Sequence, residues 1–418
     1  MESVSTPERA PTYRERLAAG VRRYTPRDRG ELIAFRQRLY GREAPIASSE
    51  YARWMWEARS SRAPELWIYR HEGRVVAQQG TIPVSLQVGD RTLAGAWAVH
   101  LVVDPAHQLR GIGATLSQRC FLDHDVLLGL EVSDVARRGF RRAGWIDLGT
   151  VPLFARIVSP RVLLAERWPA LRWPGLVGRA ADLSLGALDA VIALRAATRP
   201  LDVETVDRFD TRVDFLWEHA RRVSPVIARR DHGHLNWRFA DHPDPSRYRR
   251  LVFTHRGEAV GWAVLRLEPR GPVRSGHIVD WLAAPEWAWF VLARCLTLLE
   301  RWGAHIVYCL HLGPTGARAL RQLGFIERDS GWPLMFRAKE LPSSLVTLLC
   351  RRDSWFVTAG DSDVDRPRDN TIYPPDAAWE PSANQVAGGP AAGAVPGAGN
   401  TIGYSCSTLP CSTSTPPP

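Results

Sequence analysis

An internal repeat is the feature that most constrains how this chain folds. In the first half, an aromatic helical segment with Trp54 precedes two β-type segments joined by a turn at residues 71–73. In the second half, a segment with Trp237 precedes two β-type segments joined at residues 255–257. The short sequences RRAGW and RQLGF then follow at a similar distance in the two halves. Because the matches occur in the same order, we predict that the chain contains two copies of one α/β unit.

The chain divides into several predicted segments. At 418 residues it is too long for one ordinary core, so two domains are expected. We predict a mixed α/β class in which each of two tandem domains is a twisted, mostly antiparallel sheet flanked by helices. The segments are a flexible N-terminus at 1–19, a first domain at 20–158, a helical connector at 159–200, a degenerate second domain at 201–365 and a disordered tail at 366–418.

Composition sets the tail and the connector apart from the rest. Residues 366–418 are dominated by Pro, Gly, Ala, Ser and Thr, and such a segment cannot bury enough apolar surface to offset its chain entropy. The connector carries one or two amphipathic helical patterns. We interpret it as a packed linker, with a helix that lies on a membrane surface as the alternative.

Charge and cysteine usage narrow the class of protein. The formal net charge is +10, which favours an anionic ligand such as nucleotide phosphates, nucleic acid or an acidic glycan. The arginines are spread along the chain and no helix-turn-helix, zinc-finger or single-strand-binding signature is present, so we predict no specific nucleic-acid partner. The six cysteines lack zinc-binding spacing, which predicts no metal. A polar N-terminus and the lack of an apolar run of about 18 residues predict a cytoplasmic protein without a membrane span.

A glycine-rich turn, HQLRGIGATL at residues 107–116, directly follows the apolar strand-like segment WAVHLVVDP. It lacks the lysine of a P-loop and the third glycine of a dinucleotide-binding fingerprint. A turn that leads into a helix N-terminus still presents unpaired N–H groups and a partial positive charge, and its glycines let a ligand approach the backbone closely. We therefore predict that this turn binds a pyrophosphate.

The motif QLRGIG within this turn fits the pattern [RQ]-x-x-G-x-[GA], and the strand before it ends in VVDP. With the helix that follows, a second strand VLLGLEV and the closing FRRAGW, the first half resembles the GNAT superfamily of acetyl-CoA-dependent acyltransferases over residues 20–158. The second half resembles it in outline only. The resemblance implies the GNAT fold, acetyl-CoA or another acyl-CoA as co-substrate, and direct attack of a substrate amine on the thioester.

The resemblance also implies which residues bind the co-substrate. Main-chain groups of Val102 and Val103 would hold the pantetheine arm, and Ser133, at the usual place of an asparagine, would bind it by a hydrogen bond. The pyrophosphate would lie on the motif and the start of the helix, which comprise Gln108, Leu109, Arg110, Gly111, Ile112, Gly113, Ala114 and Thr115. All of these residues belong to the first half, so one co-substrate is expected per chain.

The candidate catalytic residues depart from the family pattern. Phe140 stands where many family members have a tyrosine that protonates the departing thiolate, and a phenyl ring cannot donate a proton. Glu131 is the first candidate for the general base, because it lies near the end of the strand that separates from its neighbour to admit the thioester. His100 is the second candidate, with a structural role in its strand as the alternative.

The second half lacks the glycine motif at the corresponding turn. Trp287 and Trp289 occupy that turn and are expected to fill the phosphate space, so we predict that this half binds no co-substrate and walls off the substrate cleft. Asp280 and Glu286 are candidates for contact with a substrate amine or, alternatively, solvated surface residues.

Together these features predict an N-acyltransferase that moves an acetyl or other acyl group from acyl-CoA to an amine of a small molecule or sugar. Because Phe140 removes the usual proton donor, a non-catalytic acyl-CoA-binding or scaffold protein is the alternative. The sequence selects neither the acceptor, nor the acyl chain length, nor the oligomeric state.

Overall fold

The structure, a computed structural model, describes residues 12–57, 65–167 and 174–365. Its strands are β1 Val21–Arg23, β2 Glu65–His71, β3 Arg74–Val88, β4 Arg91–Val103, β5 Val126–Gly129, β6 Ile146–Ile157, β7 Asp202–Thr205, β8 Val226–Ala228, β9 Arg249–His255, β10 Glu258–Arg270, β11 Val273–Ala283, β12 Ile306–Leu312, β13 Ile326–Ala338 and β14 Trp355–Thr358. Its α-helices are α1 Tyr13–Ala19, α2 Arg29–Tyr40, α3 Ser49–Trp56, α4 Ile112–Leu122, α5 Asp134–Arg142, α6 Pro160–Arg167, α7 Pro174–Ala197, α8 Arg212–Val223, α9 His232–Leu235, α10 Ala288–Arg301, α11 Pro314–Gln322 and α12 Ser343–Cys350. The predicted tail at 366–418 lies outside the described residues.

The N-terminal region differs from the prediction of a flexible segment at 1–19, because its last residues form helix α1. The Thr12 side chain accepts a hydrogen bond from the Glu15 N–H at 3.3 Å, and the Glu15 carboxylate accepts one from the Thr12 N–H at 2.5 Å. The Tyr13 hydroxyl donates to the carbonyl of Arg110 at 2.8 Å, which ties the helix to the glycine-rich turn. A capping box and one long-range contact therefore order a segment whose polar composition does not predict a helix.

The repeated sequence patterns form equivalent hairpins in the two halves. The turn between β2 and β3 has Glu72 and Gly73 in the left-handed region of backbone space. The turn between β9 and β10 has Arg256 and Gly257 in the same region. Two successive residues with positive φ make the tight turn that matches the twist of antiparallel strands. The two predicted hairpins are confirmed.

Trp54 and Trp237, the paired aromatic residues of the repeat, meet in the core. Their rings stack with centroids 5.4 Å apart at an interplanar angle of 15°. The Nε1 of Trp54 donates to the carbonyl of Trp237 at 2.9 Å, and the Nε1 of Trp237 donates to the carbonyl of Trp54 at 3.4 Å. This reciprocal contact satisfies both buried indole N–H groups and joins the two halves through equivalent residues.

One sheet contains the fourteen strands of the described residues. Its order is β1-β2-β3-β4-β5-β13-β6-β12-β11-β10-β9-β7, with β8 and β14 paired beside this path. The last strand of the first half, β6, lies between β12 and β13, and its counterpart in the second half, β13, lies between β5 and β6. The two halves therefore exchange these equivalent strands. The mixed α/β class is confirmed, but the two sheets expected from the sequence are joined into one.

The connector at 159–200 is helical where it is described, with α6 and α7. Leu188 and Ile192 on one face of α7 pack on the core of the second half. Leu183 and Leu194 are 78% and 75% exposed. Among the helices that the structure describes, none is long and apolar enough to cross a membrane. The division of the chain into separate domains at these boundaries stays a prediction.

Candidate functional site

The parallel strands β4 and β5 separate, and a cavity of about 300 Å³ opens between them. They pair only at three positions, where Gly95, Ala96 and Trp97 lie beside Val126, Leu127 and Leu128. Beyond this point β4 continues to Val103, whereas β5 ends at Gly129. From residue 98 onward, β4 therefore runs along the cavity rather than along β5.

The glycine-rich turn lies at the end of β4 and leads into α4. Gly111 precedes the helix with a φ of 81°, which a residue with a side chain adopts only with strain. The Thr115 N–H donates to the Gly111 carbonyl at 3.0 Å as α4 begins. The N–H groups of Ile112, Gly113 and Ala114 lie before this bond, as the first donors of a helix do. The predicted strand, turn and helix are confirmed, and the ligand of the turn stays a prediction.

Gly113, in the first turn of α4, faces the preceding strand β4. A Cβ atom at this position would lie 3.6 Å from the Val103 Cγ2 and 3.7 Å from the Leu101 Cδ1, which is ordinary van der Waals contact. The gap between the first turn of α4 and β4 therefore admits one methyl group, and a larger side chain would press on Val103 and Leu101.

Other residues predicted to bind the co-substrate already have contacts that limit their roles. The Leu109 side chain is fully exposed, and the side chain of Ile112 is buried, so only the main chain of Ile112 is available. Gln108 donates through Nε2 to the Val103 carbonyl at 3.1 Å. This carbonyl, which was predicted to bind the pantetheine arm, therefore already has a hydrogen-bond partner within the protein. Arg110 is exposed beside the turn.

Val102, Thr115 and Ser133 complete the predicted set. Val102 pairs with Gln78 of β3, on the side of β4 opposite β5. The Thr115 hydroxyl donates to the main-chain carbonyl four residues earlier at 3.0 Å. Ser133 lines the cavity and caps α5, where its Oγ accepts from the Ala136 N–H at 3.4 Å. A hydroxyl that accepts in a cap keeps its own hydrogen, so Ser133 can still donate to a ligand.

His100 lies in a β-bulge of β4 and faces the cavity. Val99 pairs with Gly80 and Val102 pairs with Gln78, so two residues of β4 oppose one residue of β3. His100 has a φ of 55°, in the left-handed region that is uncommon for a residue other than glycine. Its side chain is buried and lines the cavity, and its role as a base or as a structural residue stays a prediction.

Two side chains contact the Nε2 of His100. The Tyr51 hydroxyl lies 3.0 Å away, and the Asp363 Oδ2 lies 3.4 Å away. The Trp56 ring stands edge-on to the imidazole, with centroids 5.7 Å apart. The imidazole is therefore held by a phenol, a carboxylate and an aromatic wall, an arrangement able to orient one nitrogen and to move a proton.

Glu131 lies just beyond the end of β5 and lines the same cavity as His100. Its φ of 59° is uncommon for a residue with a long side chain, and it turns the chain from β5 toward α5. The two candidate bases thus approach the cavity from the two strands that separate. Their roles in catalysis stay predictions.

Phe140 also lines the cavity, from helix α5. Its ring stacks on Trp145, with centroids 4.5 Å apart and an interplanar angle of 12°. The ring is thereby fixed in the wall of the cavity. It provides an apolar surface where the family pattern has a phenol.

Four cavity residues have no local signal in the sequence: Tyr51 from α3, Gln79 from β3, Trp332 from β13 and Asp363 from the segment after β14. The Gln79 Oε1 accepts from the Ser117 hydroxyl at 2.8 Å, whereas its buried Nε2 has no hydrogen-bond partner among the described residues. Buried amide donors are usually satisfied, so this group suits an oxygen acceptor on a ligand. Trp332 and Asp363 come from the second half, which therefore contributes to the site.

Asp363 belongs to a segment that we call the C-terminal strap, residues 360–365. Its side chains from Asp361 to Asp365 are buried. Burial raises the pKa of Asp361 to about 6, and the neighbouring carboxylate of Asp280 acts in the same direction. Three buried arginines hold the strap, with Arg230 on the Asp361 carboxylate, Arg238 on the Ser362 carbonyl at 2.8 Å and Arg266 on the Asp365 carboxylate at 2.7 Å.

We expect truncation after Asp365 to leave the fold unchanged, whereas truncation after Ala359 destabilises it strongly. The first variant removes only the segment at 366–418, whose composition cannot build a core. The second removes Asp361 and Asp365, which leaves buried Arg230 with Asp280 alone and buried Arg266 with the partly exposed Glu268 alone. Removing one partner of a buried ion pair costs about 3–5 kcal/mol. Thermal unfolding of the three proteins checks this. Loss of cooperative melting in the longer variant would show that the tail packs on the fold.

The corresponding turn of the second half is built differently. Trp287 precedes α10, as Gly111 precedes α4, and lies in a surface cleft with Glu286. Trp289 is buried in the core beneath the helix, so the expectation that both tryptophans fill a phosphate space is wrong for this residue. Asp280 is buried against Arg230, does not line the cavity between β4 and β5, and is not a surface residue. The predicted contact of Asp280 with a substrate amine is therefore wrong, and so is the alternative of a solvated surface role.

No group of three or more His, Cys, Asp or Glu residues that could hold a metal ion occurs in the described ranges. Cys120, Cys295 and Cys309 are buried and form no disulfide within the described residues. The candidate reactive groups of the cavity are therefore the carboxylates of Glu131 and Asp363 and the imidazole of His100.

Comparison with known proteins rests on structure. No family model and no curated protein matches the sequence. A GCN5-related N-acetyltransferase from Anabaena variabilis ATCC 29413 superposes with a TM-score of 0.53 at 12% identity, covering 76% of this chain and 72% of that one. A conserved protein of unknown function from Enterococcus faecalis V583, described as "Probable N-Acyltransferase", superposes with a TM-score of 0.52 at the same identity and the same coverage of both chains. With its separated central strands and its glycine turn at the start of α4, this chain has the fold of the GNAT superfamily.

Proposed function

We propose that the protein is an N-acyltransferase that binds acyl-CoA in the first half and transfers the acyl group to an amine in the cavity between β4 and β5. The observation that carries the proposal is that one strand, β4, runs along the cavity and ends at the glycine turn. Both candidate bases line the same cavity. A pyrophosphate on the turn would direct the pantetheine arm along β4 toward these residues.

Three features of the chain suit an acyl-CoA. The N–H groups at the start of α4 and the helix dipole favour the pyrophosphate. Gly113 has no side chain to cover the main-chain N–H groups at the start of α4. The unpartnered Nε2 of Gln79 supplies a hydrogen-bond donor in the cavity for a carbonyl oxygen.

The reaction needs little from the protein beyond position and one proton acceptor. The acceptor nitrogen forms a bond to the acyl carbon, the bond from that carbon to sulfur breaks, and CoA leaves as the thiol or thiolate. The proton lost by the nitrogen passes to a base, for which Glu131 is the first choice and His100 the second. Fixing the two reactants side by side supplies most of the rate.

The decisive experiment measures free CoA thiol released from acetyl-CoA in the presence of a panel of amines, with the acylated product identified by mass spectrometry. We expect amine-dependent thiol release and a product heavier by one acyl group. Parallel calorimetry with CoA reports binding without chemistry. Thiol release that needs no amine would contradict acyl transfer to nitrogen.

The second candidate function is a non-catalytic acyl-CoA-binding protein, and Phe140 is the observation that favours it. Its ring is fixed against Trp145 and cannot protonate a thiolate. This function predicts tight binding of acyl-CoA with no thiol release for any amine. The two assays above therefore separate the two functions.

A further inference from the structure

The charged groups that line the cavity are of one sign. Glu131 and Asp363 bring two carboxylates, and His100 is the third titratable group apart from two tyrosines. No arginine or lysine belongs to the lining, as far as the described residues extend, although the whole chain has 54 of them. A cavity with this lining favours a positively charged ligand and disfavours an anionic one.

Apart from Gln79, Ser133 and Gly129, the rest of the wall is aromatic or aliphatic. Those residues of it that come from the region between α2 and α3, from β13 and from the strap are Tyr40, Pro45, Ile46, Tyr51, Trp332 and Val364. Aromatic faces attract cations as well as apolar groups. The space of about 300 Å³ is at the small end for a ligand pocket, so the part of the acceptor that enters is small.

Arg36 is a cation that packs behind this wall without lining the cavity. It is fully buried behind Tyr51, with its guanidinium 6.0 Å from the centroid of that ring. It donates through Nε to the Gln78 Oε1 at 3.0 Å and through Nη1 to the Ile46 carbonyl at 3.0 Å, and its buried Nη2 has no hydrogen-bond partner among the described residues. Arg36 therefore belongs to the layer beneath the cavity wall.

Asp363 is held in place before any ligand arrives. Its Oδ1 accepts from the Ser362 hydroxyl at 3.2 Å, and its Oδ2 faces the Nε2 of His100. The main chain beside it is anchored by Arg238. A carboxylate fixed at the cavity wall, close to a candidate base, can hold an ammonium group while its proton is removed.

We propose that the acceptor is a cationic amine on an apolar or aromatic body without an acidic group beside the amine, and that Asp363 of the C-terminal strap binds its ammonium. This inference deepens the proposed acyl transfer and rests on it. The same site disfavours an amino acid, because its carboxylate would enter a cavity lined by two carboxylates and by no arginine or lysine among the described residues. Like charges brought together at a binding site cost several kcal/mol, so we expect discrimination of at least about 100-fold.

Matched acceptors test the proposal because each pair differs by one carboxylate. Tyramine is compared with tyrosine, and phenethylamine with phenylalanine, in thiol release and in calorimetric titration of the CoA-saturated protein. We expect the amines to exceed the amino acids at least about 100-fold in kcat/KM or in affinity. Equal use or equal binding of the two members of a pair overturns the proposal, and so does the failure of both amines to bind.

Variants of Asp363 test the residue itself. Asp363→Asn keeps the shape and removes the charge, so amine binding should weaken about tenfold or more and the discrimination against amino acids should fall. Asp363→Glu retains the charge and should keep the preference for amines even if the asparagine variant fails to fold. Glu218→Gln, on an exposed surface of α8, is the control and should match the wild type. Unchanged discrimination in a folded Asp363→Asn protein overturns the role of Asp363.

The outcomes separate this inference from the function on which it rests. Amine binding without thiol release contradicts acyl transfer but still supports a cationic amine as the ligand. Thiol release with amines and amino acids alike supports acyl transfer and overturns the ligand class.

Discussion

Replacing Glu131 by glutamine is expected to lower turnover at least about 100-fold while affinity for acyl-CoA stays the same. A general base contributes about 10²–10⁴-fold to rate, and glutamine keeps the shape of the side chain without its basic oxygen. Glu131 has a left-handed backbone conformation, which glutamine tolerates as glutamate does, so the fold should not change. The measurement is thiol release with a verified amine, together with calorimetry for CoA.

The chain offers a matched control for this substitution. Glu72 also has a left-handed backbone conformation, but it lies at the exposed turn between β2 and β3, so Glu72→Gln should turn over normally. His100→Gln tests the second candidate in the same assay. Normal turnover of Glu131→Gln with strong loss in His100→Gln would assign the base to the histidine held by Tyr51 and Asp363.

Replacing Gly113 by valine is expected to weaken CoA binding at least about 100-fold without loss of stability beyond that of an ordinary helix substitution. The Cβ of a residue here makes ordinary contact with β4, and the two further methyl groups of valine add bulk beside the N–H groups on which the pyrophosphate is expected to bind. Two hydrogen bonds to charged phosphate oxygens, at about 1.5–3 kcal/mol each, would be lost. That loss corresponds to at least about 100-fold in Kd, which calorimetry measures directly.

Gly30→Val is the control for the cost of valine in a first helical turn. Gly30 lies near the start of α2, and a Cβ there meets no atom within 4 Å. Gly113→Ala should give an intermediate effect, because the gap admits one methyl group.

The wild type should bind one CoA per chain, since Trp287 replaces the glycine at the equivalent turn of the second half. Wild-type affinity in Gly113→Val, or two CoA molecules per chain, would show that the turn is not the binding site.

Much of this fold follows from local patterns. The hairpin at Gly73 and its counterpart at Gly257 are visible because a tight turn between twisted strands needs residues with positive φ. The start of α4 is visible because glycine at Gly111 supplies a backbone conformation that other residues adopt only with strain. These signals act over a few residues, so the sequence reports them directly.

Local sequence patterns do not predict the N-terminal helix or the joining of the two halves into one sheet. Helix α1 depends on a capping box and on a contact between Tyr13 and Arg110, which are distant in sequence. The exchange of β6 and β13 depends on which of two similar strands completes each half. Because both strands contain a similar short apolar segment, VPLF in β6 and WPLMF in β13, the sequence does not distinguish the exchanged pairing from the unexchanged one.

By itself, the sequence determined the repeat, the mixed α/β class, the strand, turn and helix of the glycine motif, and the candidates Glu131 and His100. Only the tertiary structure decided what faces these residues. Tyr51, Trp332 and Asp363 reach the same cavity from α3, from an exchanged strand and from the C-terminal strap. Each of them looks ordinary in its own segment, because the property that matters, a shared cavity with a fixed pattern of charge, exists only after the chain has brought distant segments together.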